Sequence, residues 1–315
     1  RGCTFSCTYC FNHNMVEYYK NDLQCSFRQL NYVRHFPVSQ IIEEINFLLS
    51  TYKNISTFIF DDDLFTFYKD YLVDFCTAYK QTTFLPFVVN AHINVFDQVR
   101  AEHLAAAGCR IVKFGLESGS ERIRREVLNR KMSNEKIQKS IQLANDNDLH
   151  SSVFLMIGLP GESLEDLMAT IKLTANSLPG RFRWSFFYPF PGTRAYDITM
   201  DLGYLDSEKQ DSLTNFTEDS CLDFGPEHNL FLEKVGKILP WYVNAYSTLP
   251  VAEFYQEKIQ ELEDLNHEEW KEREKTILDE DAQISKQFSR QGLSHYAIKY
   301  NPFMGVISDY FLNEK

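Results

Sequence analysis

Between about residues 39 and 203, amphipathic stretches of helical length alternate with short apolar runs of strand length. The runs are "STFIF" ending at Phe60, "PFVVN" ending at Asn90, "RIVKFGL" ending at Leu116, "SSVFLMI" ending at Ile157 and "RWSFFY" ending at Tyr188. Before the first lies a helical stretch from Val38 to Tyr52, with Ser39 as its N-cap and Ile41, Ile42, Ile45, Leu48 and Leu49 on one face. Between the others lie Tyr68–Tyr79, Asp97–Ala107, Ser133–Asn147 (Ser133 as N-cap) and Leu164–Ser177. Such alternation gives an α/β fold with a parallel sheet, either open or closed into a full or partial barrel. The runs read as strands buried on both faces.

The pattern changes near Gly203–Ser207. We expect a barrel core over residues 1–203 and a helical C-terminal region over 204–315, which suits a chain of 315 residues. Glu253 to Phe288 is a charged helical stretch, and the tail "HYAIKYNPFMGVISDYF" is aromatic and irregular. Trp241, Tyr242 and Tyr296 are expected to cap the barrel mouth. The formal net charge is −12, which argues against broad nucleic-acid binding. No apolar run is long enough to span a bilayer, and no signal or transit peptide is evident. The sequence opens at Arg1-Gly2-Cys3, so it reads as a fragment in which an upstream strand would make six.

Seven cysteines are present, and three fall within eight residues as Cys3-x3-Cys7-x2-Cys10. The long chain, the lopsided distribution and the odd count argue against a secreted disulfide framework and for a reducing, cytoplasmic setting. Three thiolates on one tight loop can bind three irons of a 4Fe–4S cubane. The fourth iron is then filled by a distant Cys or left open. Zinc is the competing metal, with His13 as a fourth ligand, and three incidental thiols are the bland alternative.

The loop "RGCTFSCTYC" resembles the cluster loop of the radical S-adenosylmethionine (SAM) superfamily, with Tyr9 at the aromatic position before the last Cys. The resemblance covers about residues 1–203. It implies a partial (β/α)6 barrel, a 4Fe–4S cluster on Cys3, Cys7 and Cys10, SAM on the open iron, and reductive cleavage of SAM to a 5′-deoxyadenosyl radical. Active sites of barrels lie at the C-terminal ends of the strands, which directs attention to the loops there. Asp61-Asp62-Asp63 follows Phe60, and Asp62 or Asp63 faces the pocket unless the three acids only start a helix. "GLESGS" matches the family's Gly-x-Glu-Ser turn at Gly115, Glu117 and Ser118; Glu117 is either a SAM contact or a helix-start acid. Arg122 and Arg130 are candidates for the methionyl carboxylate, or are solvated. Gly158 and Gly161 in "IGLPGES" resemble the segment bordering adenine and ribose, and "YPFPGTRAY" resembles a further family turn. Asn90-Ala91-His92 departs from the family, which often has a polar pair ending in Arg there.

Within the superfamily the turns look most like the cobalamin-binding group, whose cobalamin domain lies upstream of the cysteines. That implies methyl transfer or related chemistry on a small molecule or peptide, with a reductant such as flavodoxin or ferredoxin. The alternatives are a transfer-RNA methylthiotransferase, which would end in a basic β-barrel, or a non-enzymatic iron–sulfur or zinc module.

Overall fold

The chain is described from a computed structural model that covers residues 2–213, 215 and 217–307. Arg1 and the end of the aromatic tail lie outside the described residues.

The cysteine loop leads into α1 (Phe11–Leu23), the short α2 (Phe27–Leu30) and α3 (Val38–Thr51). Strand and helix then alternate: β1 (Phe58–Phe60), α4 (Lys69–Thr82), β2 (Phe87–Ala91), α5 (Gln98–Ala106), β3 (Cys109–Glu117), α6 (Asn134–Asp146), β4 (His150–Ile157), α7 (Leu164–Ser177) and β5 (Arg181–Phe186). All five strands of the sequence reading form, and β5 stops two residues before Tyr188. Ser133 caps α6 as expected, accepting from the Lys136 N–H. Ser39 does not cap α3: Pro37 holds that position, because its fixed φ suits a helix entrance and Ser39 already lies in the first turn.

The rest comprises α8 (Arg194–Asp201), α9 (Ser207–Ser212), α10 (Pro226–Ala245), α11 (Ala252–Glu263), α12 (His267–Arg273), α13 (Ile277–Gln291), β6 (Ala297–Ile298) and β7 (Met304–Val306). The charged stretch 253–288 is therefore broken, at Asn266, whose side chain forms a capping box with Glu269.

One sheet runs in the order β1-β2-β3-β4-β5-β7-β6. The first five strands are parallel, β7 is antiparallel to β5, and β6 is antiparallel to β7. The fold is mixed α/β with a mostly parallel sheet, open and not closed. The β6–β7 pair was invisible in the sequence because strands of two and three residues carry no periodic signal.

The outer face of the sheet is the core. Phe87, Val89, Val112, Phe114, Val153, Leu155, Phe182, Trp184 and Phe186 are buried there beneath the helices. The inner face is mixed, carrying Val88, Asn90, Ile111, Lys113, Phe154, Arg181 and Arg183. On β5 the arginines alternate with buried aromatics, so that strand is apolar on one face only.

The C-terminal aromatics do not cap the mouth. Helix α10, kinked at Ile238 ahead of Pro240, packs outside the sheet against α7 and β5. Gly236 meets the Phe186 ring, and its carbonyl accepts from Trp184 Nε1 at 2.9 Å. Trp241, Tyr242 and Tyr296 are fully buried in that layer. Trp241 donates to Asp281 at 2.8 Å, and the Tyr296 hydroxyl donates to the Pro179 carbonyl at 2.7 Å, beside the start of β5. That is the end of the sheet opposite the cysteines. Burial of each such ring stabilises the fold by about 2 kcal/mol, more than a solvent-facing cap would gain.

Candidate functional site

The cysteine loop lies over the C-terminal ends of β2 and β3, held by contacts from distant segments. The Thr8 N–H donates to Leu128 O at 3.2 Å, its hydroxyl donates to Val127 O at 2.6 Å, and its carbonyl accepts from the Ala195 N–H at 3.0 Å. Asn129 Nδ2 donates to Ser6 O at 2.8 Å. The Phe5 ring stacks on His92 with centroids 3.7 Å apart. Cys10 then begins α1, its N–H donating to Cys7 O at 3.2 Å.

The segment after β3 is built to deliver Asn129 and Arg130 to this loop. It contains a single π-turn, Ile123–Val127, which rotates the chain relative to a regular helix. Asn129 follows with φ 52°. Arg124 is fully buried and ties the segment together, donating to the carbonyls of Ser118 and Met132 and to Asn134 Oδ1.

Arg130 is the hub. Its Nη2 donates to the Gly115 carbonyl at 2.6 Å, and its Nη1 to the Tyr9 hydroxyl at 3.2 Å and to Cys7 Sγ at 3.5 Å. Tyr9 in turn donates to Glu117 Oε1 at 3.0 Å. Glu117 sits at φ 68° beside a register shift between β3 and β4, which turns its carboxylate inward. Gly115 has no side chain for a reason: a Cβ there would run into the Glu117 carboxylate.

Burial pushes the Glu117 carboxyl upward, with Arg130 and the Tyr9 hydrogen bond opposing. Burial and then Glu117 hold the Tyr9 hydroxyl well above its usual value. Burial acts against the Arg130 charge, but Tyr9, Glu117 and Cys7 more than offset it. Burial, followed by Arg130, drops His92 to about 3, so that ring is neutral.

Cys3, Cys7 and Cys10 line one cavity of about 250 Å³ together with Asp63, His92 and Glu117. Burial raises Cys3 to about 11, and the neighbouring Cys7 and Cys10 add to it. Burial also raises Cys10, with Cys7 adding. Thiols that oppose each other's ionisation form a set that a cationic group would neutralise. Among the described residues, no three His, Cys, Asp or Glu side chains gather closely enough for a single metal ion. Three soft donors spread around one cavity fit an iron–sulfur cluster better than tetrahedral zinc, and His13 does not line the cavity.

The other sequence candidates separate. Asp63 lines the cysteine cavity; Asp62 does not, and accepts from the Leu64 N–H at 3.0 Å. Ser118 is buried facing α7, 3.3 Å from the Thr170 hydroxyl. Gly158, at φ 70°, lies against Leu232, and its N–H donates to Glu162 at 2.7 Å. Gly161 has φ 72°, and its carbonyl accepts from Arg122 at 2.8 Å. Arg122 also pairs with Asp166, whose other oxygen accepts from Ser120. Neither glycine lines the cavity. Lys113 and Phe154 do line it and were missed. A lone Lys inside the apolar run "RIVKFGL" was the available signal, because a charge in a buried strand needs a reason.

A sequence profile described as "Radical SAM superfamily" matches residues 1–174. An uncharacterised methyltransferase of Pyrococcus horikoshii is 29% identical over 201 residues, 64% of this chain and 40% of that protein. The anaerobic magnesium-protoporphyrin IX monomethyl ester cyclase of Rubrivivax gelatinosus is 23% identical over 236 residues, 71% of this chain and 38% of that protein. The chain spans between 31% and 40% of the length of the curated relatives it matches. In fold it resembles the radical SAM methyltransferase TsrM of Kitasatospora setae, a structure with cobalamin and a [4Fe-4S] cluster bound. That match has a TM-score of 0.52 and 16% identity over 64% of this chain and 35% of that one.

Proposed function

The chain belongs to the radical SAM superfamily, and on that premise we propose that Cys3, Cys7 and Cys10 hold a 4Fe–4S cluster beside a SAM site walled by Glu117. The observation that carries this reading is the shared cavity: three thiols, Tyr9, Glu117 and Arg130 converge at the ends of β2 and β3. When bound, the cluster supplies the electron that splits SAM into methionine and a 5′-deoxyadenosyl radical. The residues of this chain do the positioning. Glu117 offers Oε2 for a ribose hydroxyl or the SAM ammonium while Tyr9 holds Oε1. Arg130 lines the cavity, but its guanidinium already donates to Cys7, Tyr9 and Gly115, which makes it a positioning residue, not a clamp for the methionyl carboxylate. Asp63 and the neutral His92 complete the rim, and Phe5 stacks on the His92 ring. Fixing the reacting groups at contact distance supplies much of the rate in such a site.

The reaction is proposed to be cobalamin-linked methyl transfer or related radical chemistry, supported by the methyltransferase name of the Pyrococcus horikoshii relative and by the cobalamin-bound fold neighbour. The described C-terminal elements, α10–α13 with β6 and β7, offer no support for the methylthiotransferase alternative. Anaerobic reconstitution with iron and sulfide tests the reading. A 4Fe–4S chromophore near one per chain should form and should be lost in Cys3→Ala, Cys7→Ala and Cys10→Ala, but not on replacing Cys25, Cys76, Cys109 or Cys221. The reduced protein should convert SAM to methionine and 5′-deoxyadenosine. Tight zinc binding through His13 would overturn it.

A further inference from the structure

Strand register aligns an unusual row on the inner face of the sheet. Lys113 on β3 pairs with Ser152 on β4, and Ser152 pairs with Arg181 on β5; Arg183, paired with Phe154, stands one layer nearer the cysteines. Adjacent strands are about 4.8 Å apart, so the Lys113 and Arg181 backbones are separated by about 10 Å. All three cations line a second cavity, of about 560 Å³, whose walls include Val88, Ile111 and Met304.

Among the described residues these charges lack matching acids. Lys113 pairs with Asp61 at 3.7 Å, and that carboxylate is 78% exposed, so the pair is weak. Arg181 Nε is fixed by Ser152 Oγ at 2.9 Å. Burial and then Arg183 act against the Arg181 charge. Among the described residues no carboxylate pairs with Arg181 or Arg183. In a chain of net charge −12, three cations gathered on one concave face repel each other unless an anion joins them.

We propose that this inner face binds the oxyanion end of the substrate, a carboxylate or phosphate group held by Arg181, Arg183 and Lys113. The orientation of the ligand rests on the cysteine cavity being the reacting centre. Lys113 and Phe154 line both cavities, so the two adjoin each other along the sheet. The four residues from Lys113 to Glu117 span about 13 Å of strand. The ligand is therefore an elongated anion with an apolar body against Phe154 and Ile111, its far end reaching toward Glu117. The arginine fork suits bidentate capture of such a group.

Inorganic phosphate and glutarate, titrated calorimetrically into the full chain at an ionic strength fixed with chloride, test the proposal. At least one should bind saturably, and Arg183→Gln and Lys113→Met should each weaken it tenfold or more. Arg183 is exposed, so its variant should keep the melting temperature of the unaltered chain. Tighter phosphate identifies a phosphorus oxyanion and tighter glutarate a carboxylate. Binding should persist in the Cys3→Ala variant, and cluster loading should persist in Arg183→Gln, so this site and the cluster reading fail separately. If neither oxyanion binds beyond chloride, or both bind the variants as well as the unaltered chain, the proposal is overturned.

Discussion

The Tyr9 hydroxyl donates to Glu117 Oε1 at 3.0 Å, joining the aromatic residue of the cysteine loop to the acid that ends β3. The contact leaves one oxygen of Glu117 for a ligand and restrains the side chain that carries it. Glu117→Ala should weaken SAM binding tenfold or more while the cluster chromophore stays intact. Tyr9→Phe removes one hydrogen bond, worth about 1 kcal/mol, and should weaken SAM roughly fivefold. Equilibrium binding of SAM to the reconstituted protein measures both. Unchanged affinity in the alanine variant would remove Glu117 from the site.

Arg130 donates to Cys7 Sγ at 3.5 Å, and hydrogen bonds to cluster sulfurs raise reduction potential. Arg130→Met should lower the midpoint of the bound cluster by on the order of 50 mV, about a tenfold change for one electron. Arg130→Lys retains charge but not the fork that also reaches Gly115, so an intermediate value is expected. Redox titration followed by electron paramagnetic resonance reads the shift. Equal potentials in all three proteins would show that the guanidinium does not tune the cluster.

His150 opens β4 with its ring filling the space that a side chain at Gly180 would need. Burial, then Arg181, lowers it to about 4, against an unfolded value of about 6.5. The folded value is the depressed one. Its stabilising contribution is thus complete above pH 6.5 and is lost as pH falls toward 4. Between pH 7 and pH 5 this group should cost the fold about 2 kcal/mol. Urea unfolding of the unaltered chain and His150→Gln at both values isolates it. The variant should lose less stability on acidification by about that amount, and an identical loss would refute the assignment.

What the sequence made legible was local. Cys3, Cys7, Cys10 and Tyr9 lie within eight residues, and Glu117 ends a strand whose apolar run is plain. The alternation exposed all five parallel strands because each is preceded by a helix long enough to show its period. What stayed hidden depends on contacts far apart in the chain. Arg130 meets Cys7 across 123 positions, and no spacing rule could separate it from Arg122, which ended on Asp166. Ser118 and Gly158 matched motif positions, yet they serve packing against α7 and α10, because the same turn must both face a cavity and dock a helix. The inner-face cations were visible as letters, but only strand register brings Lys113 and Arg181 into one row.

Gly115 offers the sharpest test of how the site is spaced. Its backbone has ordinary strand conformation, so alanine there carries no φ penalty and, by reducing unfolded-chain entropy, should leave the melting temperature level or slightly higher. The added methyl, however, would collide with the Glu117 carboxylate and come within 3.3 Å of Arg130 Nη2. Glu117 must then swing away from the cavity and from Tyr9. Gly115→Ala should therefore mimic Glu117→Ala, with SAM affinity down tenfold or more in a protein that still folds and still loads its cluster. The double variant separates this from general damage. Once Glu117 is alanine the methyl has lost its main obstacle, so Gly115→Ala should then cost little, and the two effects should be strongly non-additive. Additive losses in SAM affinity would mean that Gly115 acts through Arg130, or on the ligand directly, and not by leaving room for the carboxylate.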